Sequence, residues 1–251
     1  MIVGKKSGQF IVMTAAIILL IIIVLVASIH QTATTTQSPP PLYTAVESVT
    51  QSLQTILVTS LANYSHTAIE QPSTCPYTTV YTPSEEQPQQ ALFDQLINNL
   101  TYIYSEYGLL IAQTQPTYTV AWCTGQLGGG STTIGATFRF NLTSLGLTNY
   151  KEELSYSLEA YTPSCTLNTD NGNLTCTVTV LQSGNPLTGL NQSYFYLSQV
   201  AGWVQAEHTL DYDNGTYAVS WQLSGIPSTL PGATIAVENQ FGVYVVTFAQ
   251  I

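Results

Sequence analysis

The period of the hydrophobic pattern changes twice along the chain. From Phe10 to Ile29 the run is apolar apart from Thr14 and Ser28, and no residue in it is charged. Twenty helical residues rise about 30 Å, the thickness of a bilayer's hydrocarbon core, so this run predicts a transmembrane helix. In lipid the backbone has no water to bind, which leaves helix as the only workable form. From residue 42 to 66 the apolar positions recur at helical spacing. Leu42, Val46, Val49, Leu53, Ile56, Leu57, Leu61 and Tyr64 share a face, opposite Glu47, Ser48, Gln51 and Thr55. A second amphipathic helix is expected from Ser84 or Pro88 to Tyr107. Its stripe is Leu92, Phe93, Leu96, Ile97, Leu100, Ile103 and Tyr107, and Gly108 is its natural stop. Ser84-Glu85-Glu86-Gln87 resembles a capping box, and Pro88 suits a first helical position equally well.

From Thr117 the period becomes two. Tyr118-Val120-Trp122, Ala136-Phe138-Phe140, Leu154-Tyr156-Leu158 and Cys176-Val178-Val180 each alternate with polar neighbours. Further strands are expected at Tyr194 to Leu197, Gly202 to Thr209, Tyr217 to Leu223, Thr234 to Val237 and Gly242 to Phe248. Asp213-Asn214-Gly215 reads as a hairpin turn, and Gly128-Gly129-Gly130 as a flexible loop between the first two strands. The expected fold is therefore α+β: an N-terminal transmembrane helix, two amphipathic helices and a β-sandwich ectodomain. The boundaries are a cytoplasmic leader at 1–8, the membrane helix at 9–30, a Thr/Pro-rich spacer at 31–41, a helical region at 42–113 and the sandwich at 114–251. Pro39, Pro40 and Pro41 in the spacer cannot continue a helix and favour an extended chain.

Composition sharpens the topology. Lys5 and Lys6 precede the apolar run and no positive charge follows it closely, so the N-terminus is expected in the cytoplasm and the C-terminal part outside the cell. Those two lysines are half of the chain's four basic residues. The exterior then keeps two positives against fourteen acids, a balance of −12 that argues against a nucleic-acid partner. Only 7% of residues are charged against 45% hydrophobic, so solvation falls to Thr, Ser, Asn, Gln and glycans. Cys75, Cys123, Cys165 and Cys176 lie on the outer side, where an even count reads as two disulfides. Three pairings are possible. Nearness in sequence favours Cys165 with Cys176, leaving Cys75 with Cys123. Metal binding would need closely paired cysteines or nearby histidines, so no metal is expected. Asn63, Asn99, Asn141, Asn173, Asn191 and Asn214 each open an N-x-[ST] sequon and are candidate glycosylation sites.

The N-terminus resembles a known class. Lys5-Lys6-Ser7-Gly8-Gln9-Phe10 followed by the apolar run is similar to the class III signal of archaeal type IV pilin-like surface proteins. The resemblance implies cleavage between Gly8 and Gln9 by a prepilin-type peptidase and packing of the N-terminal helix with its copies. Met13 stands where many pilins carry a glutamate, at the fifth mature position. A looser likeness to other archaeal surface proteins follows from the helical segment ending in Tyr104-Ser-Glu-Tyr-Gly108 before strands. An uncleaved signal anchor, and a secretory signal cut near Val26-Ala27-Ser28, are the other readings of the same run.

Catalytic motifs are weak. Gly130-Ser131-Thr132 lacks the second glycine of a nucleophile elbow, and no glycine run leads to Lys-Ser or Lys-Thr. His30, His66 and His208 are far apart; His208 and Asp211 with some serine form the only triad worth naming. Asp211-Tyr-Asp213-Asn214-Gly215 faintly echoes a calcium loop but lacks its later ligands. The expected function is thus a membrane-anchored extracellular structural or adhesive protein, a pilin-like subunit or accessory of a surface filament or envelope. It is not expected to be an enzyme or to hold a cofactor. The alternative is a solitary signal-anchored ectodomain that binds carbohydrate or an envelope-layer partner, and a less favoured one is an extracellular hydrolase. Expected partners are the membrane, further copies through the N-terminal helix, other envelope proteins and the peptidase. The sixteen tyrosines suit adhesive contact surfaces, as well as plain strand packing.

Overall fold

The computed structural model describes residues 41–70, 75–81, 88–113, 115–124, 128–200, 202–223 and 232–251. The predicted transmembrane helix, the Gly8-Gln9 junction and the Ser84 capping box lie outside them. Among the described residues no helix is long and apolar enough to cross a membrane. The chain divides into two units, 1–45 and 46–251. Of the first, residues 41–45 are described, and there the Pro41 carbonyl accepts from the Thr44 and Ala45 N–H groups as the first helix opens.

The predicted helices form. α1 is Leu42–Glu70, and its apolar stripe buries Val49, Leu53, Leu57, Leu61 and Tyr64. On the polar side Thr55, Thr59 and Thr67 bond back to carbonyls one turn earlier, as does Ser52, whose hydroxyl also lies 3.4 Å from that of Tyr104. α2 is Pro88–Ile103, with proline at its first position and Phe93, Ile97 and Leu100 buried. Leu42 and Ile103, assigned to the stripes by spacing, are instead exposed, each at an end of its helix. A 3₁₀ turn at Ser105–Tyr107 follows α2, and Gly108 closes it at φ 65°, donating to the Ser105 carbonyl.

The rest is antiparallel sheet, giving an α+β protein dominated by strands. The strands of the larger sheet are β1 (Tyr77–Tyr81), β2 (Leu109–Gln113), β3 (Thr117–Thr124), β4 (Gly129–Leu142), β5 (Leu147–Asn168), β6 (Asn173–Gln182) and the two-residue β7 (Asn185–Pro186). A smaller sheet takes β8 (Phe195–Gln199), β9 (Gly202–Gln205), β12 (Gly232–Glu238) and β13 (Tyr244–Gln250), while β10 (His208–Asp211) and β11 (Thr216–Gln222) return to the larger one. Its order is β1-β3-β4-β5-β6-β11-β10, with β2 beside the second half of β4 and β7 beside β6; the smaller sheet runs β13-β12-β8-β9. Gly202 to Thr209, expected as one strand, is two: β9 pairs with β8 and β10 with β11, so the chain changes sheet near Ala206.

Alternation sets the faces of the larger sheet. Tyr118, Val120 and Trp122 of β3, Ile134, Phe138 and Phe140 of β4, and Tyr156, Leu158 and Ala160 of β5 are buried on its inner side. The helices pack there: Tyr64 of α1 meets Tyr118 with ring centroids 4.9 Å apart, and Phe93 of α2 meets Phe138 at 6.3 Å. β12 and β13 bury both faces, as with Val245 and Val246, which explains their near-continuous apolar runs.

The Gly128-Gly129-Gly130 run is a contact point. Gly129 and Gly130 begin β4, and the Gly128 carbonyl accepts from the Phe248 N–H at 2.8 Å and the Thr247 hydroxyl at 2.9 Å. A Cβ on Gly130 would collide with the Val246 carbonyl. Glycine is required because the backbone of β13 lies directly on the start of β4. Next to it, Thr132 donates to the Tyr244 carbonyl at 2.7 Å and accepts from the Trp122 indole at 2.8 Å, tying β13 to the larger sheet.

Both disulfides follow the favoured pairing. Cys75–Cys123 ties the segment before β1 to β3, and Cys165–Cys176 links β5 to β6 with Cα atoms 4.1 Å apart. The second depends on a bulge. The register shifts between Tyr161 and Ser164, so inward positions on β5 pass from even residues (Leu158, Ala160) to odd ones, and Cys165 comes to face Cys176.

Candidate functional site

The outer side of the larger sheet carries the polar half of the alternation. Two adjoining hollows, of about 660 and 580 Å³, share Thr117, Gly135 and Ser155 and form one open trough across β3, β4 and β5. Gly135 pairs with Thr117 on one side and Ser155 on the other, and its missing side chain makes the floor. Around it stand Thr119, Thr133, Thr137, Ser157, Glu153 and Glu159. Glu159 accepts from the Tyr161 hydroxyl at 2.8 Å, and this bond, with lesser burial, raises the Tyr161 pKa. The Tyr161 ring lies over Gly129, filling the space a side chain would take. Glu153 pairs with Lys151, whose ammonium holds the carboxyl below its ordinary range.

This arrangement suits hydrogen bonding to a polyhydroxylated or amide-rich surface more than chemistry. Glu153 and Glu159 are six positions apart on one strand, about 20 Å at the usual rise. Paired glycosidase carboxylates stand about 5 to 9.5 Å apart, so these two do not form such a pair.

A second site is an apolar crevice of about 360 Å³ between α1 and β5, lined by Val58, Thr59, Tyr156, Gln182 and Phe241. Asn239 organises its inner end. Its Oδ1 accepts from the Phe241 and Val243 N–H groups, both at 3.0 Å, and its amide donates to the Tyr156 hydroxyl at 2.5 Å. Burial pushes the Tyr156 hydroxyl up to about 12. Tyr217, also buried, donates to the Leu187 carbonyl, and burial raises it to about 12 as well. On the smaller sheet Tyr196 donates to Glu238 at 3.0 Å; burial and this carboxylate lift it to about 12.

The sequence-predicted residues are dispersed. Asn63 and Asn99 are exposed on α1 and α2, Asn141 and Asn173 are half-buried on β4 and β6, and Asn191 and Asn214 are exposed in turns. Asn191 accepts from the N–H and hydroxyl of Ser193, and Asn214 accepts from the Thr216 N–H, so both serve as local turn caps. Ser65, the hydroxyl residue of the first sequon, is buried and accepts from the Tyr244 N–H. Asp211 is engaged by the Gly189 and Asp213 N–H groups, so its carboxylate secures loops instead of orienting His208. Among the described residues no cluster of His, Cys, Asp or Glu is suited to a metal ion. Asn239 and Gly135 had no distinguishing signal in sequence: one reads as a turn residue, the other as an ordinary break in a strand.

The fold and surface define an α+β, disulfide-linked protein with a hydroxyl-rich sheet face. Comparison with protein-family models, curated protein sequences and solved structures returned no match.

Proposed function

We propose that the chain is a membrane-anchored extracellular structural or adhesive protein, a pilin-like subunit or accessory of a surface filament or envelope. In this reading Phe10 to Ile29 spans the bilayer, 31–41 is a Thr/Pro-rich spacer, and the C-terminal part lies outside the cell. The observation that carries it is the pair of disulfides, Cys75–Cys123 and Cys165–Cys176, a chemistry of oxidising compartments. The charge-poor surface supports it, with Tyr102, Tyr161 and Tyr212 exposed as apolar area bearing a hydroxyl. The solitary-ectodomain reading draws on the trough around Gly135, whose hydroxyls and carboxylates match a glycan's hydrogen-bonding groups.

The deciding measurement is the mature N-terminus, by mass spectrometry of the chain from membranes of producing cells. A start at Gln9 is expected, and recovery of a soluble chain starting near Ser28 or Ile29 overturns the anchored reading. Sheared surface filaments then separate the two forms: a subunit is found in them, whereas a solitary ectodomain stays with the membrane.

A further inference from the structure

We infer that the free edge of β1 is a self-pairing site, through which two copies of the chain join their larger sheets by antiparallel pairing about a two-fold axis at Thr79. β1 is a terminal strand of the larger sheet, bonded on one side to β3, and no described strand lies on its other side. Such an edge presents unpaired N–H and C=O groups, and natural proteins usually guard one with lysine, proline or a bulge. β1 has none of these. No charged residue occurs from Gln71 to Ser84, no proline falls within Tyr77–Tyr81, and the β1–β3 register is unbroken. Val80 is 69% exposed there.

The sequence of the edge selects a second copy as the occupant. Tyr77-Thr78-Thr79-Val80-Tyr81 is nearly palindromic, so antiparallel pairing with itself sets Tyr77 against Tyr81, Thr78 against Val80 and Thr79 against Thr79. Aromatic, β-branched and Thr–Thr pairs are favourable across strands, and a two-fold contact uses the same patch on both subunits. The lack of charge matters in a chain whose net charge of −10 makes other surfaces repel their copies. The pairing also keeps the pleat in phase. Tyr77 and Thr79 lie opposite Trp122 and Val120 on the inner side, so both copies keep their inner faces on the same side, and the polar faces join into one.

The edge is held ready. Cys75–Cys123 fastens the residue two before β1 to β3, and Tyr77 packs on Trp122 with ring centroids 5.6 Å apart. Little ordering remains to be done on association, which favours binding by a short segment. Five residues still make a small contact, below the roughly 1,200 Å² of stable complexes, so the pairing is concentration-dependent.

Cysteine cross-linking of the full chain tests this. Facing residues of an antiparallel pair have Cα atoms about 4.5 to 5.5 Å apart, within disulfide reach. Thr79→Cys is expected to give a covalent dimer under mild oxidation, with a peptide linking position 79 to itself. Adding Thr78→Lys and Val80→Lys sets four ammonium groups against one another and lowers the dimer yield about tenfold or more, the factor that about 1.4 kcal/mol supplies. The exposed Val80 allows this change without loss of monomer stability, which melting curves check. No self-linked dimer, a cross-link to a different polypeptide, or a yield indifferent to the lysines overturns the proposal. Should Thr79→Cys misfold, sedimentation of the unaltered chain against the lysine variant decides: equal monomeric behaviour of both overturns it. A soluble chain starting near Ser28 leaves this result intact, so the anchor and the pairing fail separately.

Discussion

Tyr156 and Tyr217 carry their hydroxyls into the interior, each hydrogen-bonded and each with its pKa raised by burial to about 12. An unfolded tyrosine ionises near 10. Between those values the folded state holds protons that the unfolded state has released, so stability falls as pH rises. The contribution is complete below pH 10 and lost on passing through 12. Melting temperature should therefore drop between pH 10 and 12, and Tyr156→Phe should flatten part of that drop; a flat profile counts against the buried hydroxyls. At this scale the sequence was only partly legible. Alternation grouped Tyr118 and Tyr156 with apolar neighbours and Tyr217 fell at the start of an expected strand, but nothing local set the three apart from exposed Tyr102, because burial depends on what packs from elsewhere in the chain. Asn239 was unreadable for the same reason: its amide partner Tyr156 is 83 residues away.

Elements with strong periodicity were the legible ones. α1, α2 and the long strands fall where the pattern puts them, whereas β1 and β2 went unseen inside the region read as helical. β1 alternates threonine with tyrosine and valine, offering no clear apolar face, and β2 is an unbroken short run that period alone cannot assign. The glycine run misled in a different way. Glycine marks both flexible loops and close backbone contact, and only the position of β13 decides between them. Gly130 and Gly135, five residues apart on β4, give a sharp comparison. Gly130→Ala forces its Cβ into the Val246 carbonyl, a backbone group that cannot yield cheaply, and should cost about 3 kcal/mol. Gly135→Ala meets nothing nearer than the Leu154 carbonyl oxygen at 3.9 Å and should leave stability within about 0.5 kcal/mol. Paired denaturant titrations measure both, and equal effects would refute the close crossing.

For the whole molecule, the two disulfides close loops of different size, with sequence separations of 48 and 11. Loop-closure entropy then assigns about 4 kcal/mol to Cys75–Cys123 and about 3 to Cys165–Cys176. Replacing the first pair with serine should lower the melting temperature more than replacing the second; the reverse order would show that strand registry outweighs chain entropy. The pairing was legible from separation and compartment alone. The trough around Gly135 was not, since a hollow lined by ordinary outward threonines and serines looks like solvated strand until three strands are set side by side. The bulge in β5 has a consequence for how this chain tolerates change. It acts as a shift of reading frame: before Tyr161 even residues point inward, and after Ser164 odd ones do. Loss of one residue there would remove the extra position, restore unbroken alternation and keep Cys165 and Leu167 facing inward, so this short stretch tolerates a single deletion that a regular part of the strand would not.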